Sequence, residues 1–552
     1  MPILIYPGSS RRLKNIDAKF ALQLDNWNDY GFNTTYHLHY RHGKSSTDVT
    51  LIGTVKILRK GQTVEDYSLI TEPFEVLGDD YVSVGMSLDY YQRLNQIVDL
   101  DRKEIMDALQ DAVAHPELVD KFKGEPGWEK SIFRDDIDWM KFLDSASVVY
   151  RGNFSELPDV AEKFIFFPAD SDDQIEFNFS SPKPDFYNGP YRRLGPSRHR
   201  TLLPERVIVL VGRNGSGKST LLSRLAHVAF ASPQARNSEE ISKMGKLMPN
   251  SIGFMRVITI SYSAFDSFVI PGIDVRNLAQ TTDDIESGSG RFVFCGLRDI
   301  VAEVKEDLKS TEKSKSKKLS SERRHTTRLK SLDGLAAEFG RLINDIRSAD
   351  LMELFESALE PLLSETSFVN LNNQLEALSK ASQKEAAAFF LEWSTGHKIA
   401  LHVVASLVRN TKSQSLVLFD EPETHLHPPL MAALMQSVRI VLTDLNAFCV
   451  IATHSPVLLQ ETLAEHVRYI RRVGETLQIG RPNLETFGEN VGVLTYSSFG
   501  LTASSTDFHD VLNLLVKGCE TIDEVSEFFP QGLSGQAMSY VLTKLYEKKK
   551  SQ

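Results

Sequence analysis

The chain has 552 residues, of which 41% are apolar and 24% charged, a composition typical of globular proteins and a length that exceeds one compact domain. Its formal net charge of −11 excludes a polycation that coats nucleic acid, so any contact with DNA or RNA must come from a local basic patch. Three scattered cysteines and the lack of any apolar stretch near the ~20 residues that span a bilayer predict a cytoplasmic protein with no membrane contact.

Residues 1–160 are predicted to form a β-rich region with helices. Apolar and alternating patterns predict strands over 34–40, 49–58, 74–77 and 81–84, and helical spacing predicts a helix over 102–123. His37 and His39 share one face of the first strand. A solvated strand face is favoured there over a metal site, because no carboxylate or cysteine stands at ligand spacing.

The stretch 205–226 organises a lobe predicted over 161–300, whose motif predicts an ATPase. The apolar run Val207–Val211 predicts a strand buried on both faces, and leucines at helical spacing predict a helix that begins near Leu221. Between them stands G-x-x-x-x-G-K-[ST] in full, whose glycines allow successive N–H groups to wrap a phosphate. Lys218 is placed for the β- and γ-phosphates of ATP, and Ser219 for a Mg²⁺ ion. The residues predicted to bind ATP are Gly212, Asn214, Gly215, Ser216, Gly217, Lys218, Ser219 and Thr220.

A charged helical insert is predicted over 301–390. Between residues 309 and 330, nine basic residues stand against two acidic ones, which is the strongest positive run in an acidic chain. Two interpretations stay open. The run is a solvated helical arm, or it contacts DNA, RNA or an acidic partner.

A second ATPase lobe is predicted over 391–500, and it begins with a capped helix. Ser394 is a good N-cap, and Gly396 leaves the first N–H groups of the helix uncovered. Helix N-termini bind anions, so the chain is predicted to carry a second phosphate-binding helix start. An ordinary capped helix is the alternative.

Two apolar strands of the same lobe end in polar residues that can do chemistry. The run 416–419 leads into Asp420 and Glu421, and the run 448–453 leads into His454. Polar side chains at the carboxyl ends of buried parallel strands lie where α/β sheets bind ligands. Asp420 suits Mg²⁺, Glu421 can orient and deprotonate an attacking water, and His454 can donate to the γ-phosphate.

The rest of the chain is predicted from its periodicity. A further apolar strand over 257–261 leads to Ser263 and Asp266, and another strand is predicted over 468–472. A turn-rich stretch extends from there to residue 500. A helical tail follows over 501–552, with helices over about 506–518, 521–529 and 534–549.

Together these motifs resemble an ABC-type ATPase head, an α/β fold with a mixed or parallel sheet. Walker A matches 212–220, Walker B matches 416–421, and the switch histidine matches His454. In the family, a glutamine after the strand at 257–261 contacts Mg²⁺ and the attacking water. Ser263 and Asp266 occupy that neighbourhood here, so that contact is open. In the family, the ABC signature caps the ATP of another subunit. The residues here that resemble it are Ser394, Thr395, Gly396 and Lys398.

Two longer motifs narrow the resemblance. Phe419-Asp-Glu-Pro-Glu-Thr-His-Leu-His-Pro428 and Ala452-Thr-His-Ser-Pro456 resemble the ATPases of prokaryotic anti-phage defence, among them the PtuA ATPases of Septu systems and their retron-associated versions, rather than membrane transporters. The resemblance implies slow, Mg²⁺-dependent ATP hydrolysis in a head-to-tail dimer or higher oligomer. It also implies a separate HNH nuclease partner similar to PtuB and, in retron-encoded cases, a reverse transcriptase with its RNA–DNA hybrid.

Two alternatives to the defence ATPase stay open. One is a DNA-repair ATPase of the RecF kind. Heads with very long coiled coils are disfavoured, because no heptads are sustained between Walker A and the signature. The other is a scaffold that ATP stabilises and that turns over little, since Glu421 would look identical in both.

Overall fold

The computed structural model of the protein describes residues 2–7, 16–25, 31–41, 49–64, 66, 70–133, 139–151, 162–180, 203–231, 235–250, 252–272, 290–311, 322–324, 326–499 and 508–551. They divide into two compact units, 1–487 and 488–552. The larger unit contains three sheets, and the smaller one is helical.

An N-terminal sheet of five strands opens the larger unit. Its strands lie in chain order: β1 (Leu4–Tyr6), β2 (Phe20–Leu24), β3 (Thr35–Arg41), β4 (Val49–Arg59) and β5 (Tyr81–Gly85). The first two are parallel and the others antiparallel. The helices that follow are α1 (Leu88–Gln96), α2 (Asp99–Ala108), α3 (Glu117–Phe122) and α4 (Trp139–Arg151), with a π-turn at Trp128–Ile132. Their buried side chains and those of the sheet form one hydrophobic core.

Three predictions for this region are wrong in part. Phe74 makes only an isolated bridge with Ile3, so 74–77 is not a strand. The helix predicted over 102–123 is broken between α2 and α3, where Gln110 has a φ of 51° and Pro116 disfavours helix in the preceding residue. The face of His37 and His39 is not a solvated surface, because His39 is buried and bonds Gln23 at 3.1 Å.

The ATPase core is built on a seven-stranded sheet of order β11-β10-β12-β13-β8-β14-β15. The ranges are β8 (Val207–Val211), β10 (Val257–Ser261), β11 (Phe292–Gly296), β12 (Leu416–Asp420), β13 (Phe448–Thr453), β14 (Val467–Val473) and β15 (Thr476–Gly480). The strands are parallel except for β15, which forms an antiparallel hairpin with β14. The central strands are apolar runs buried on both faces, as a parallel sheet covered by helices requires. The predicted mixed or parallel α/β fold is confirmed.

A small antiparallel sheet accompanies this core. It consists of β7 (Ile175–Asn178), β6 (Lys163–Pro168) and β9 (Gly245–Met248), in that order. The core helices before the insert are α5 (Lys218–Phe230) and α6 (Glu239–Ser242), with a 3-10 turn at Ala235–Asn237. The phenylalanines of β6 and β7 belong to the same hydrophobic core as the face of the seven-stranded sheet.

The predicted helical insert contains α7 (Ile300–Thr311), α8 (Leu332–Ser348), α9 (Met352–Leu363), a 3-10 turn (Thr366–Leu371), α10 (Asn372–Leu378) and α11 (Gln383–Glu392). Then follow α12 (Thr395–Asn410), α13 (Pro428–Asp444), α14 (Pro456–Gln460) and a 3-10 turn at Ala464–His466. The helix α8 packs against α11 and α12, and α9 packs against α13. The signature helix α12 is therefore joined to the insert on one side and to the core on the other.

The basic run is only partly covered by the described residues, because 312–321 and 325 lie outside them. Its described end is not helical: Arg323 and Leu329 form isolated bridges with Phe268 and Arg298. Three of its cations pair with acids of the same chain, Arg324 with Glu303, Arg328 with Glu306 and Lys330 with Glu338. This end is thus neither a solvated arm nor an unpaired basic surface.

The smaller unit contains α15 (Val491–Phe499), α16 (Phe508–Gly518), α17 (Ile522–Ser526) and α18 (Gly535–Ser551). The three helices predicted for the tail are present, with a small core that includes Leu512, Val525 and Val541. The stretch before residue 500, predicted to consist of turns, instead contains β15 and α15. None of the helices in the described part of the chain meets the length and hydropathy that a bilayer crossing requires.

Candidate functional site

The loop between β8 and α5 has the backbone that a phosphate cradle needs. Gly215 and Gly217 have φ values of 79° and 96°, in the left-handed region that glycine enters without a steric penalty. Gly217 is the N-cap of α5, so the first N–H groups of the helix point into the loop. Anions bind at such helix starts, because the unpaired N–H groups and the helix dipole both favour negative charge.

Lys218 lies inside this loop and is 4% exposed. Its Nζ donates to the carbonyl oxygens of Gly212 (2.9 Å) and Arg213 (3.2 Å). Burial lowers the pKa of Lys218, although the nearby carboxylates of Glu421 and Asp420 oppose the shift. A buried ammonium group with neutral carbonyl partners is well placed to pair with an anion in the loop.

Gly212 has a second role, because it lies directly against strand β14. A Cβ atom at this position would stand 2.2 Å from the carbonyl oxygen of Ile470 and 2.7 Å from Ser216 Oγ. Since backbone cannot swing away as a flexible side chain does, only glycine lets the loop pack this closely on the sheet.

Two acids, Asp420 and Asp266, lie beside Ser219 at the start of α5. Ser219 Oγ donates to Asp420 Oδ1 at 3.0 Å, at the end of strand β12, which β13 separates from β8. Burial raises the pKa of Asp420 to about 7, and the charges of Glu421 and Asp266 add to that effect. Asp266, Ser219 and Asp420 line one cavity. Such a concentration of buried carboxylate and hydroxyl oxygens fits Mg²⁺, which prefers hard oxygen ligands.

Two strand hydroxyls in the same cavity support this interpretation. Thr259 Oγ1 and Ser261 Oγ, both on β10, are buried, and the described residues offer neither a hydrogen-bond partner. Buried polar atoms are normally satisfied by protein, water or an ion. The cavity therefore offers these two hydroxyl oxygens to a cation or a water beside Asp420.

Ser263 and Asp266, which stand where the family has a glutamine, behave differently from each other. Asp266 is held by the buried guanidinium of Arg298 at 3.2 Å and belongs to the cavity of Asp420. Among the described residues, Ser263 Oγ accepts the local N–H of Phe265 at 3.2 Å. The structure thus places Asp266 in the same cavity as Asp420. Ser263 instead makes a contact that stabilises its own turn.

Glu421 and His454 meet at the carboxyl edge of the sheet, one strand apart. Glu421 has a φ of 47°, and its N–H donates to the carbonyl of Ala452 at 2.9 Å. A left-handed backbone is costly for a residue with a side chain, and such strain clusters at functional sites. His454 Nδ1 lies 3.8 Å from Glu421 Oε1, and both side chains are partly exposed. The predicted base and switch histidine are therefore neighbours.

The sequence analysis assigned no role to one acid and one cation near these strand ends, Glu423 and Arg298. Glu423 accepts from Thr453 and His454, and Arg298 holds both Asp266 and Glu303. For Glu423 the signal was present, since it stands within the quoted motif two residues after Glu421. For Arg298 the only signal was its place just after strand β11.

The signature residues stand at the N-terminus of α12. Ser394 Oγ accepts the N–H of His397 at 3.3 Å, which confirms the predicted N-cap. Ser394 and Thr395 are exposed, and Gly396 and Lys398 are partly buried. A Cβ at Gly396 would stand 3.3 Å from the carbonyl of His425, in the loop that follows Glu421. This helix start is accessible to another molecule and is packed on the loop of the predicted base.

The core of the chain matches a known protein family. Residues 207–460 match the family model described as "AAA domain, putative AbiEii toxin, Type IV TA system". The match begins at β8 and ends with α14, so it contains the phosphate loop, Asp420, Glu421 and His454.

One relative covers nearly the whole chain. Protein ea59 of Escherichia phage lambda is 30% identical over 523 residues, which are 90% of this chain and 89% of ea59. A solved structure, "An inward-facing conformation of a putative metal-chelate type ABC transporter", is 16% identical. The match covers 50% of this chain and 73% of the transporter chain, with a TM-score of 0.21. Residues 207–460 therefore form a P-loop domain that matches an AAA family model, and the chain belongs to the same family as protein ea59 of phage lambda.

Proposed function

We propose that the chain binds and slowly hydrolyses Mg²⁺–ATP between two copies arranged head to tail. One observation carries the proposal. Lys218, Ser219, Asp420, Glu421 and His454 come from three neighbouring parallel strands and converge at one sheet edge. ATP hydrolysis needs this set of a phosphate cradle, metal-binding oxygens, a base and a polar donor.

Each residue has a role that follows from its position. The loop 212–220 and Lys218 bind the phosphates, and Ser219 with Asp420 would hold Mg²⁺, which neutralises phosphate charge when bound. Glu421 orients the attacking water and accepts its proton. His454 donates toward the γ-phosphate. Asp266 adds to the negative charge beside Asp420.

The head-to-tail arrangement can be tested by mixing two inactive variants. Lys218→Ala disables the phosphate loop, and Ser394→Arg blocks the signature end of the same chain. In a mixed pair, one composite site has both defects and the other has neither. An equal mixture should therefore recover about a quarter of wild-type turnover, since half of the pairs are mixed and each has one intact site. If the mixture stays as inactive as either variant alone, the composite site is refuted.

The variant Glu421→Gln distinguishes an ATPase that hydrolyses ATP from a scaffold that only needs bound ATP to assemble. The variant should still bind ATP, because Lys218 and Ser219 are intact, and it should hold the copies together by trapping unhydrolysed nucleotide. The measurement is the mass of the assembly with ATP, together with phosphate release. Equal phosphate release by the variant and the wild type would favour a scaffold whose glutamate has no catalytic role.

We further propose that this ATPase is a cytoplasmic subunit of an anti-phage defence complex. In this complex it restrains a separate HNH nuclease similar to PtuB, with a retron reverse transcriptase and its RNA–DNA hybrid as further partners where a retron is encoded. Support comes from the motif resemblance, from the toxin named in the matching family and from a relative encoded by a phage.

The partner proposal has a direct experiment. The chain would be co-expressed with the HNH protein of its own genomic neighbourhood, and DNA cleavage would be measured with and without ATP. Cleavage that is low with ATP and high after ATP is removed is expected. Tight ATP-dependent binding of the chain alone to duplex ends, with no nuclease complex, would instead indicate a RecF-like repair ATPase.

A further inference from the structure

Glu423 contacts the switch histidine more closely than the predicted base does. Its Oε1 lies 3.0 Å from His454 Nδ1, whereas Glu421 Oε1 lies at 3.8 Å from the same nitrogen. The carboxyl side chain of Glu423 is 11% exposed, against 31% for Glu421. The imidazole nitrogen therefore lies within ion-pair distance of a largely buried acid that carries no assigned role.

The same oxygen of Glu423 is fixed by two further donors. Thr453 Oγ1 donates to it at 2.7 Å, and the backbone N–H of His454 donates at 2.7 Å. Both donors come from the carboxyl end of strand β13, at the centre of the core sheet. Two donors on one oxygen, with the imidazole nitrogen beside them, leave Glu423 little freedom to move.

This arrangement determines which nitrogen of His454 carries a proton. A carboxylate can only accept, so Nδ1 facing Glu423 must be the N–H nitrogen. Nε2 is then the nitrogen left for the ligand side of the ring. With Nδ1 facing the acid, Nε2 can donate to a phosphate oxygen when the ring carries a proton on both nitrogens.

We propose that Glu423 is the positioning residue of His454, and that it holds Nδ1–H so that Nε2 is presented to the γ-phosphate. The inference rests on the proposed function, because it assigns His454 a role in turnover. Glu421 remains the base for water. The two glutamates therefore have different roles. Glu421 acts directly on the attacking water, and Glu423 acts only by orienting His454.

The test is a double-mutant cycle with Glu423→Gln and His454→Gln. Glutamine keeps an oxygen that can accept from Thr453 and the backbone, but it removes the negative charge beside the imidazole. Loss of a carboxylate partner of a functional histidine typically costs roughly 10- to 100-fold in activity. We expect a fall of that size in kcat with ATP affinity unchanged, and no further fall when Glu423→Gln is added to His454→Gln.

A matched control is Glu485→Gln, because Glu485 also accepts three backbone N–H groups with one oxygen, at 2.9 to 3.0 Å, on an exposed turn. This control should turn over ATP as the wild type does. If Glu423→Gln fails to fold, Thr453→Val removes one donor to Glu423 without changing its charge. It should lower kcat in the wild-type background and have no effect in His454→Gln.

Two results would overturn the inference. One is a wild-type kcat for Glu423→Gln, and the other is an equal loss in the two backgrounds, which would make Glu423 a structural residue independent of His454. Either result would leave the proposed ATPase standing, as long as the wild type hydrolyses ATP. A wild-type chain without any turnover would refute the proposed function and this inference with it.

Discussion

A buried histidine on the signature helix makes the stability of this protein depend on pH in a predictable direction. His402 is 1% exposed and bonds the hydroxyl of Tyr262 through Nδ1 at 2.6 Å. Its Nε2 lies 3.6 Å from Glu338, which is paired with Lys330 at 2.6 Å. Burial by itself lowers the pKa of His402, but the neighbouring Cys295 and Glu338 outweigh burial and raise the pKa to about 9.

The sign and the size follow from linkage. A histidine whose pKa rises from 6.5 to about 9 on folding stabilises the fold fully below pH 6.5 and loses that contribution as pH rises through 9. A shift of that size corresponds to roughly 3 kcal/mol. The pKa of Glu338 shifts in the opposite direction. Burial raises this pKa, but His402 and Lys330 outweigh burial and lower it to about 2. The contribution of Glu338 to stability is therefore lost only in strong acid.

The assay compares thermal midpoints of wild type and His402→Asn at a pH below 6.5 and at a pH above 9. The deficit of the variant should be largest at the low pH and should shrink by several degrees at the high pH. The control is His466→Asn, because His466 is equally buried but its pKa is lowered, chiefly by burial. Its contribution is lost as pH falls, so the two variants should show opposite trends. Parallel curves for His402→Asn and wild type would refute the reasoning.

Three further substitutions test the site and its support. Lys218→Ala should lower ATP affinity by roughly 10- to 100-fold, since a charge-assisted contact contributes about 1.5–3 kcal/mol. An affinity by titration calorimetry equal to that of the wild type would contradict this. The control is Lys243→Ala, because Lys243 is exposed. Gly212→Ala should weaken ATP binding and cost about 1–3 kcal/mol of stability, because its Cβ would meet the Ile470 carbonyl. Gly480→Ala, which meets nothing within 4 Å, should not. Arg298→Met should cost roughly 3–5 kcal/mol by denaturant unfolding, because it removes the guanidinium partner of Asp266 and leaves the buried Glu303 with Arg324 at 3.4 Å. A wild-type unfolding midpoint would argue against that account.

The core strands could be predicted because their signal is local. Val207–Val211, Val257–Ser261 and Phe448–Thr453 begin and end where the apolar runs do. A strand buried on both faces must be apolar throughout, so the sequence contains its boundaries. The helix break near Gln110 and the strand β15 were missed, since both depend on a left-handed residue or a hairpin partner that composition does not show.

The basic run shows a limit of charge counting. The cations at its described end pair with Glu303, Glu306 and Glu338, three acids that lie outside the run on helices α7 and α8. Net charge along a segment does not reveal which acids the fold places opposite it. The same holds for Asp266, whose guanidinium partner lies on another strand end.

By itself the sequence determined the chemistry that the chain can offer: a glycine loop before Lys218, acids after one apolar strand and a histidine after another. These follow from residue type and short spacing, which are properties of the unfolded chain as well. Only the tertiary structure decided that Glu423 faces His454, that Arg298 holds Asp266 and that Tyr262 reaches His402. Such contacts join residues from different strands and helices, so they exist only once the parallel sheet has set its strand order and register.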